Sequence, residues 1–308
     1  MSFIYKADPE RGRIWAEVFA RQAPALDFRI WPDVGDPAAV RFLAAWEPPA
    51  DLAKLFPNLQ LLFSSGAGVD QFDLAGLPAE LPLVRMVEPG IISGMVEYIT
   101  WAVLSLHRDM PRYQRQQRAA QWLPHPGLPA AKRRIGVLGL GSLGRAVLAP
   151  LLGLGFDCVG WSRSRHQIDG MTCHAGLAEL PAFLAGTQIL VCLLPLTQAT
   201  QGFLNAQLFA GLPRGASLVH VGRGQQLVNA DLLAALDSGQ LAQALLDVTE
   251  PEPLPAGHPF WQHPKIVITP HIASMTQAET AAEAVLGNLR RFAQGLPVIG
   301  LVDRALGY

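Results

Sequence analysis

The chain has 308 residues, half of them hydrophobic and 16% charged, with a formal net charge of −1. That length exceeds one ordinary core and suits two domains of about 150 residues. The near-neutral charge offers no basic face for nucleic acid. No uncharged apolar run reaches the ~18 residues of a membrane span. Residues 1–8 lack the basic-then-apolar layout of a signal peptide. Cys158, Cys173 and Cys192 have neither paired nor metal-ligand spacing. Cys158 and Cys192 lie inside apolar runs and read as buried thiols of a reducing, cytoplasmic compartment.

Residues 3–5, 28–31, 40–46, 59–64 and 83–87 are predicted strands, with a helical stretch over 12–22. Strands alternating with helices imply a parallel sheet covered on both faces, with ligands at the carboxyl ends of the strands. Two such ends carry candidates. Trp46 closes one strand ahead of Glu47-Pro48-Pro49. Ser65-Gly66-Ala67-Gly68-Val69-Asp70 follows another, and its small residues can turn successive backbone N–H groups toward a carboxylate. A plain β–α turn without a ligand fits the same residues.

Residues 93–122 form a long helical pattern that Pro111 should kink or split. Along it, Arg108, Arg112, Arg115 and Arg118 recur at three- and four-residue spacing, as a solvated face or a dimer contact. Residues 124–129 are a proline-rich connector.

An apolar run then breaks into Gly139-Leu140-Gly141-Ser142-Leu143-Gly144 and continues as a helix. Gly139 permits the tight turn, Gly141 leaves no Cβ in the path of a pyrophosphate, and Gly144 lets helix and strand pack closely. The phosphates would sit at the helix N-terminus, at the backbone of Ser142 and Leu143. Strand 157–161 leads into Ser162-Arg163-Ser164-Arg165, where an NAD site normally places a carboxylate for the ribose. Hydroxyls and two guanidiniums suit a 2′-phosphate instead, so the expected cofactor is NADP, with NADPH preferred over NADH.

Strands over 189–194, 218–221, 244–248 and 266–269 complete the pattern, and a helix with Asn229 as N-cap and Gly239 past its end lies among them. Parallel strands place their ends on one edge. That gathers Leu194, Pro195, Thr200, Val221, Gly222 and Asp247 as further cofactor contacts, Asp247 accepting from the nicotinamide amide. It also gathers Arg223, Glu252 and His271, whose types fit carbonyl reduction. His271 as imidazolium can protonate a developing alkoxide while the nicotinamide gives a hydride. Glu252 can orient that imidazole and favour its charged form. Arg223 can hold a carboxylate with a planar fork of donors. Taken singly, each has a structural alternative: a hydrogen-bonded histidine, an exposed loop acid.

The runs Gly222-Arg223-Gly224, Leu246–Pro255 as LDVTEPEPLP, and Thr269-Pro270-His271-Ile272-Ala273 resemble those of the D-2-hydroxyacid dehydrogenase family, in the same order and spacing. Trp161-Ser162-Arg163-Ser164-Arg165 and the ending VDRALGY resemble its glyoxylate/hydroxypyruvate reductase A branch. The resemblance implies an α/β fold of two doubly wound parallel-sheet domains, a Rossmann cofactor domain (99–271) inserted into a flavodoxin-like substrate domain (1–98 plus 272–308). It implies that the sheet of the N-terminal segment is completed by the last ~40 residues. It assigns Arg223, Glu252 and His271 as the catalytic set. Trp46, Ala67, Gly68 and Val69, with Arg223 and His271, become the substrate contacts. Closure of the domains over substrate and a homodimer are implied as well. Thr249 departs from the family, where an aromatic is common, and Met275 and Thr276 are placed to shape the pocket.

The expected reaction is reduction of glyoxylate to glycolate and of hydroxypyruvate to glycerate, without a metal. A reductase of a bulkier 2-ketoacid such as phenylpyruvate would use the same residues with a wider pocket around Trp46, Met95 and Met275. A non-catalytic nucleotide-sensing scaffold, as in the related transcriptional corepressors, is the alternative from another class, since fold does not fix function.

Overall fold

Short runs of two to six residues in the first 84 positions become five parallel strands: β1 (Ser2–Lys6), β2 (Asp27–Ile30), β3 (Val40–Ala45), β4 (Leu61–Ser64) and β5 (Leu83–Val84). Their order is β2-β1-β3-β4-β5, the flavodoxin-like arrangement, which reverses direction between β1 and β3. The computed structural model covers residues 1–308 and divides into two units, Met1–Ile91 with Met275–Tyr308, and Ile92–Ser274. Both the observed first boundary and the expected one at 98/99 fall inside a single helix, α3 (Pro89–His107), whose periodicity has no break there.

In the first unit, α1 (Pro9–Gln22) starts where the Asp8 carboxylate accepts from the Arg11 N–H (2.9 Å) and Pro9 takes the first helical position, where no N–H is needed. Its buried face brings Trp15 and Phe19 onto Phe3 of β1, with Phe28 stacked on Phe3 and packed against Phe19. A short helix, α2 (Leu52–Leu55), links β3 to β4. The C-terminal segment contributes α9 (Ala278–Ala293), which packs on α1. It adds no strand to the sheet, contrary to expectation; Leu301 makes one antiparallel bridge to Val84. A side chain ties that segment in. Glu88, fully buried, accepts from the N–H groups of Gly90 (2.6 Å) and Gln277 (3.2 Å) and from the Thr280 hydroxyl (2.6 Å).

The second unit carries seven parallel strands: β6 (Arg134–Leu138), β7 (Asp157–Ser162), β8 (Thr172–Ala175), β9 (Ile189–Cys192), β10 (Ala216–His220), β11 (Leu241–Leu246) and β12 (Ile266–Ile268). Their order, β12-β11-β10-β9-β6-β7-β8, is the doubly wound Rossmann order with a seventh strand at one edge. β8 was not expected: it is a half-exposed edge strand, too polar for an apolar run to reveal. The helices are α4 (Met110–Arg118), α5 (Ser142–Gly153), α6 (Gly176–Leu184), α7 (Ala206–Ala210) and α8 (Asn229–Asp237). The long pattern over 93–122 splits at Asp109, which is left-handed (φ 54°), and Pro111 falls in the first turn of α4, where its missing N–H costs nothing. By length and composition α3 is the one helix apolar enough to cross a membrane, yet its Ile99, Ala102, Val103 and Leu106 are buried in this unit's core. The cap of α8 is Val228, not Asn229. Asn229 is the first helical residue, and its side-chain amide donates to the Glu250 carbonyl (3.1 Å).

Candidate active site

Three loops at the carboxyl edge of the second unit's sheet carry the expected residues, and close packing shapes each. In Gly222-Arg223-Gly224, after β10, neither glycine has room for a side chain. A Cβ on Gly222 would lie 2.1 Å from the Gln226 Oε1, and one on Gly224 would lie 1.9 Å from the Thr249 carbonyl. Arg223 between them is extended and half-buried, and its Nη1 donates to the Gly222 carbonyl at 2.9 Å. The loop after β11 carries Glu252. Its Oε1 accepts from the Thr249 N–H (3.0 Å), and Thr249 is fixed by its own hydroxyl on the Pro251 carbonyl (3.0 Å). After β12, His271 adopts a left-handed backbone (φ 54°) that a non-glycine residue rarely holds. Its N–H donates to the carbonyls of Asp247 (2.9 Å) and Thr269 (3.0 Å), which secure that conformation.

These loops bring His271 and Glu252 into contact, Nδ1 to Oε2 at 2.9 Å, with both side chains reaching solvent. Burial of the Glu252 carboxyl works to raise its pKa. The hydrogen bonds from His271 and the Thr249 N–H outweigh it, the charges of His271 and Arg223 add to them, and the net effect is a carboxyl held below the usual glutamate range. Since Nδ1 is engaged by Glu252, Nε2 is the nitrogen left to serve a substrate.

Asp247, 2% exposed, spends its oxygens inside the fold. Oδ1 accepts from the Thr269 hydroxyl (2.6 Å) and the Ile272 N–H (2.9 Å), and Oδ2 from the Ala273 N–H (2.8 Å). Because Thr269 donates to Asp247, the Tyr98 hydroxyl must be the donor in its own contact with Thr269 (2.5 Å). Asp247 thus grips the loop on both sides of His271.

The glycine-rich turn fits a dinucleotide. Gly139 has φ +102°, and a Cβ on Gly144 would stand 1.9 Å from the Gly139 carbonyl, a backbone atom that cannot give way. A Cβ on Gly141 would meet no protein atom within 4 Å, so packing does not require glycine there, whereas a closely approaching phosphate does. Helix α5 begins at Ser142 with Gly141 as its cap, so its first N–H groups are available to an anion. At the end of β7, Ser162 is buried and donates to the Ser164 carbonyl (2.8 Å), shaping the turn that carries the arginines. Arg163 and Arg165 are exposed there, and Arg165 forks onto the Glu179 carboxylate and reaches the Cys173 carbonyl. Arg145, which the sequence did not single out, joins them: it donates to His166 Nδ1 at 2.7 Å, which requires that ring nitrogen to be unprotonated. Thr200 closes the loop after Leu194 and Pro195, donating to the Pro195 carbonyl (2.7 Å) and accepting from the Thr197 N–H (2.8 Å).

In the first unit, the turn after β4 is braced by Ser64, whose hydroxyl donates to the Gly68 carbonyl (2.8 Å) and accepts from the Gly66 N–H (3.2 Å). Thr276 donates to the Ser65 carbonyl at 3.3 Å. The N–H groups of Ala67, Gly68 and Val69 donate to no other group of this unit, while the Val69 side chain is buried in its core. Trp46 is 44% exposed and lies against Gly66, where a Cβ would stand 2.8 Å from the indole. In the second unit Met95 is buried in the core.

Residues 100–273 match the family model described as the NAD binding domain of D-isomer specific 2-hydroxyacid dehydrogenases. The chain is 41% identical over the whole of both chains to a glyoxylate/hydroxypyruvate reductase A of Yersinia enterocolitica. Among solved structures it resembles a D-isomer specific 2-hydroxyacid dehydrogenase from Xanthobacter autotrophicus Py2 in complex with NADPH and MES, at 41% identity, with a TM-score of 0.95 and coverage of 100% of this chain and 99% of that one. It also resembles an NADPH-dependent glyoxylate/hydroxypyruvate reductase from Sinorhizobium meliloti in complex with NADP and sulfate, at 34% identity, with a TM-score of 0.93 and the same coverage. The chain is therefore a member of the D-isomer specific 2-hydroxyacid dehydrogenase family, an NAD(P)-dependent oxidoreductase.

Proposed function

We propose that the protein reduces small 2-ketoacids, glyoxylate and hydroxypyruvate, with NADPH as the preferred reductant and His271 as the proton donor. The observation that carries the reading is the 2.9 Å His271–Glu252 pair, with Arg223 close enough for its charge to act on Glu252. The names and bound cofactors of the relatives at 34–41% identity point the same way.

Arg223 holds the substrate carboxylate and carbonyl oxygen, fixing the carbonyl carbon in one place. On the first unit, the backbone N–H groups of Ala67, Gly68 and Val69 are of the type that binds a carboxylate. The Gly139–Gly144 turn and the α5 N-terminus hold the pyrophosphate, and Arg163 with its neighbours holds the 2′-phosphate. When bound, the reduced nicotinamide supplies the hydride to the carbonyl carbon. His271 gives its Nε2 proton to the oxygen as negative charge develops there, and Glu252 keeps the imidazole oriented through Nδ1. The imidazole is left neutral, and its exposure to solvent lets water restore the proton. Asp247 contributes by holding the 271–273 backbone.

The protein also acts as a homodimer in this reading. On the second unit, Trp101, Leu104, Met110 and Tyr113 line an apolar groove that a second copy would cover. Three unpaired cysteines, with Cys158 and Cys192 pushed up to about 12 by burial, suit the reducing cytoplasm.

Initial rates with glyoxylate, hydroxypyruvate and phenylpyruvate, each with NADPH and NADH, test the assignment. The small acids with NADPH should be fastest, and His271→Ala should lower kcat by about 10²–10⁴ while NADPH still binds. A preference for phenylpyruvate would establish the bulkier-substrate reading. Tight NADPH binding without turnover of any acid would establish the nucleotide-sensing scaffold.

A further inference from the structure

The backbone of Arg223 is held at both ends by side chains that reach no solvent. Gln226, 0% exposed, accepts from the Arg223 N–H through Oε1 (2.8 Å). Its Nε2 donates to the carbonyls of Leu194 (3.1 Å) and Pro195 (3.0 Å). His220, the last residue of β10 and also 0% exposed, sets Nε2 2.9 Å from the Arg223 carbonyl. A carbonyl only accepts, so Nε2 carries the proton and Nδ1 is bare. That Nδ1 is buried with no partner.

An imidazole with an unpaired buried nitrogen destabilises the fold. The rest of β10 is buried too, so an apolar side chain would pack at 220 without that cost. What the imidazole adds is a donor aimed at one carbonyl. Burial, reinforced by the Arg223 charge, pushes the His220 pKa down to about 4, so the donor places no second positive charge beside the guanidinium. Together the two side chains fix the peptide groups before and after Arg223, and these set the direction of its Cα–Cβ bond. With Nη1 returned to the Gly222 carbonyl, the guanidinium has little freedom left.

We infer that His220 and Gln226 are positioning residues for Arg223, clamping its backbone carbonyl and N–H so that its guanidinium meets the substrate carboxylate in one orientation. This rests on the reading of Arg223 as the carboxylate-binding group. Gln226 extends the clamp to Leu194 and Pro195, so the substrate-binding arginine and a cofactor-binding loop are held by one amide.

The test measures kcat and KM for glyoxylate, the inhibition constant of oxalate (a non-reducible dicarboxylate of similar size), the Kd of NADPH and the thermal midpoint, in His220→Leu, His220→Gln, Gln226→Met and Arg223→Ala. His220→Leu should raise the glyoxylate KM and the oxalate constant about ten-fold or more, with NADPH affinity within about two-fold of the parent. His220→Gln, whose amide N–H replaces Nε2–H, should recover most of the loss. Adding His220→Leu to Arg223→Ala should cost nothing further in oxalate binding, because the two act as one unit. If Arg223→Ala leaves oxalate binding unchanged, the reading of Arg223 falls and the inference with it. If Arg223→Ala abolishes oxalate binding while His220→Leu and Gln226→Met leave it intact, or if the double-variant losses simply add, the inference alone is overturned. Should His220→Leu not fold, Gln226→Met and the recovery in His220→Gln decide the same question.

Discussion

Arg163 and Arg165 stand two residues apart on the turn after β7, and both are exposed. Glu179 already holds Arg165, and its own carboxyl is lowered chiefly by that hydrogen bond. Arg163→Ala should weaken NADPH by about ten-fold or more and NADH much less, because only NADPH carries the 2′-phosphate that a guanidinium at this turn would meet. Fluorescence titration of both cofactors checks this, and equal losses for NADPH and NADH would remove Arg163 from the 2′-phosphate. His220 makes a second prediction at this scale. Its folded pKa of about 4 lies below the unfolded value near 6.5, so between those limits the unfolded chain binds a proton that the folded chain refuses. Stability should fall as pH drops through that window, by on the order of 3 kcal/mol from this group. Urea unfolding at pH 7.5 and pH 5 should show a steeper acid loss in the parent than in His220→Gln; identical losses would mean that His220 titrates normally. Arg223, Glu252 and His271 were legible in the sequence because each follows an apolar run into a glycine- or proline-marked loop. His220 was not, because a polar residue ending such a run reads as strand, and only its neighbours reveal which atom it serves.

At the scale of elements, the glycine turn is the segment whose sequence and geometry agree most closely. A Cβ at 144 has nowhere to go, since its obstacle is the Gly139 carbonyl in the same turn. Gly144→Ala should therefore force α5 away from β6, with a loss of about 1–3 kcal/mol and much weaker NADPH binding. Thermal unfolding with and without NADPH measures both, and a variant that binds NADPH normally would show that the turn tolerates the displacement. Pro111 was readable as a break but not as a helix start, because that depends on Asp109 taking the left-handed conformation ahead of it. The C-terminal segment departs from its expected strand for a different reason. Val302 and the residues around it are apolar enough for a strand, but only one bridge, Val84 to Leu301, forms, while Glu88 and α9 supply the attachment.

For the whole molecule, composition predicted a large core and no basic face, and each unit has a doubly wound parallel sheet. The apolar groove on the second unit has exposed members, Trp101 and Met110, that an isolated copy would leave in water. Met110→Lys should shift a dimer toward monomer in sedimentation velocity at micromolar concentration, with glyoxylate turnover measured in parallel. A parent that sediments as a monomer, or a variant that stays fully dimeric, would show that this face is not the contact. Of the helical arginines, Arg108 lines the groove, whereas Arg115 donates to the Pro264 carbonyl (2.8 Å) and so braces the fold itself.

What the sequence determined by itself was local in origin: strand and helix periods, the glycine turn, and the residue types that end each strand. Parallel strands must end on one edge, so the sequence alone assigns those residues to a common edge. What only the tertiary structure decided was which polar atoms meet. His271 with Glu252 and Asp247 with the 272–273 backbone are contacts between loops 19 to 26 residues apart, and Gln226, which holds Arg223 three residues away, also reaches Leu194, 32 residues away. A buried hydrogen bond depends on distance and direction in space. Neither is encoded in the spacing of residues along the chain.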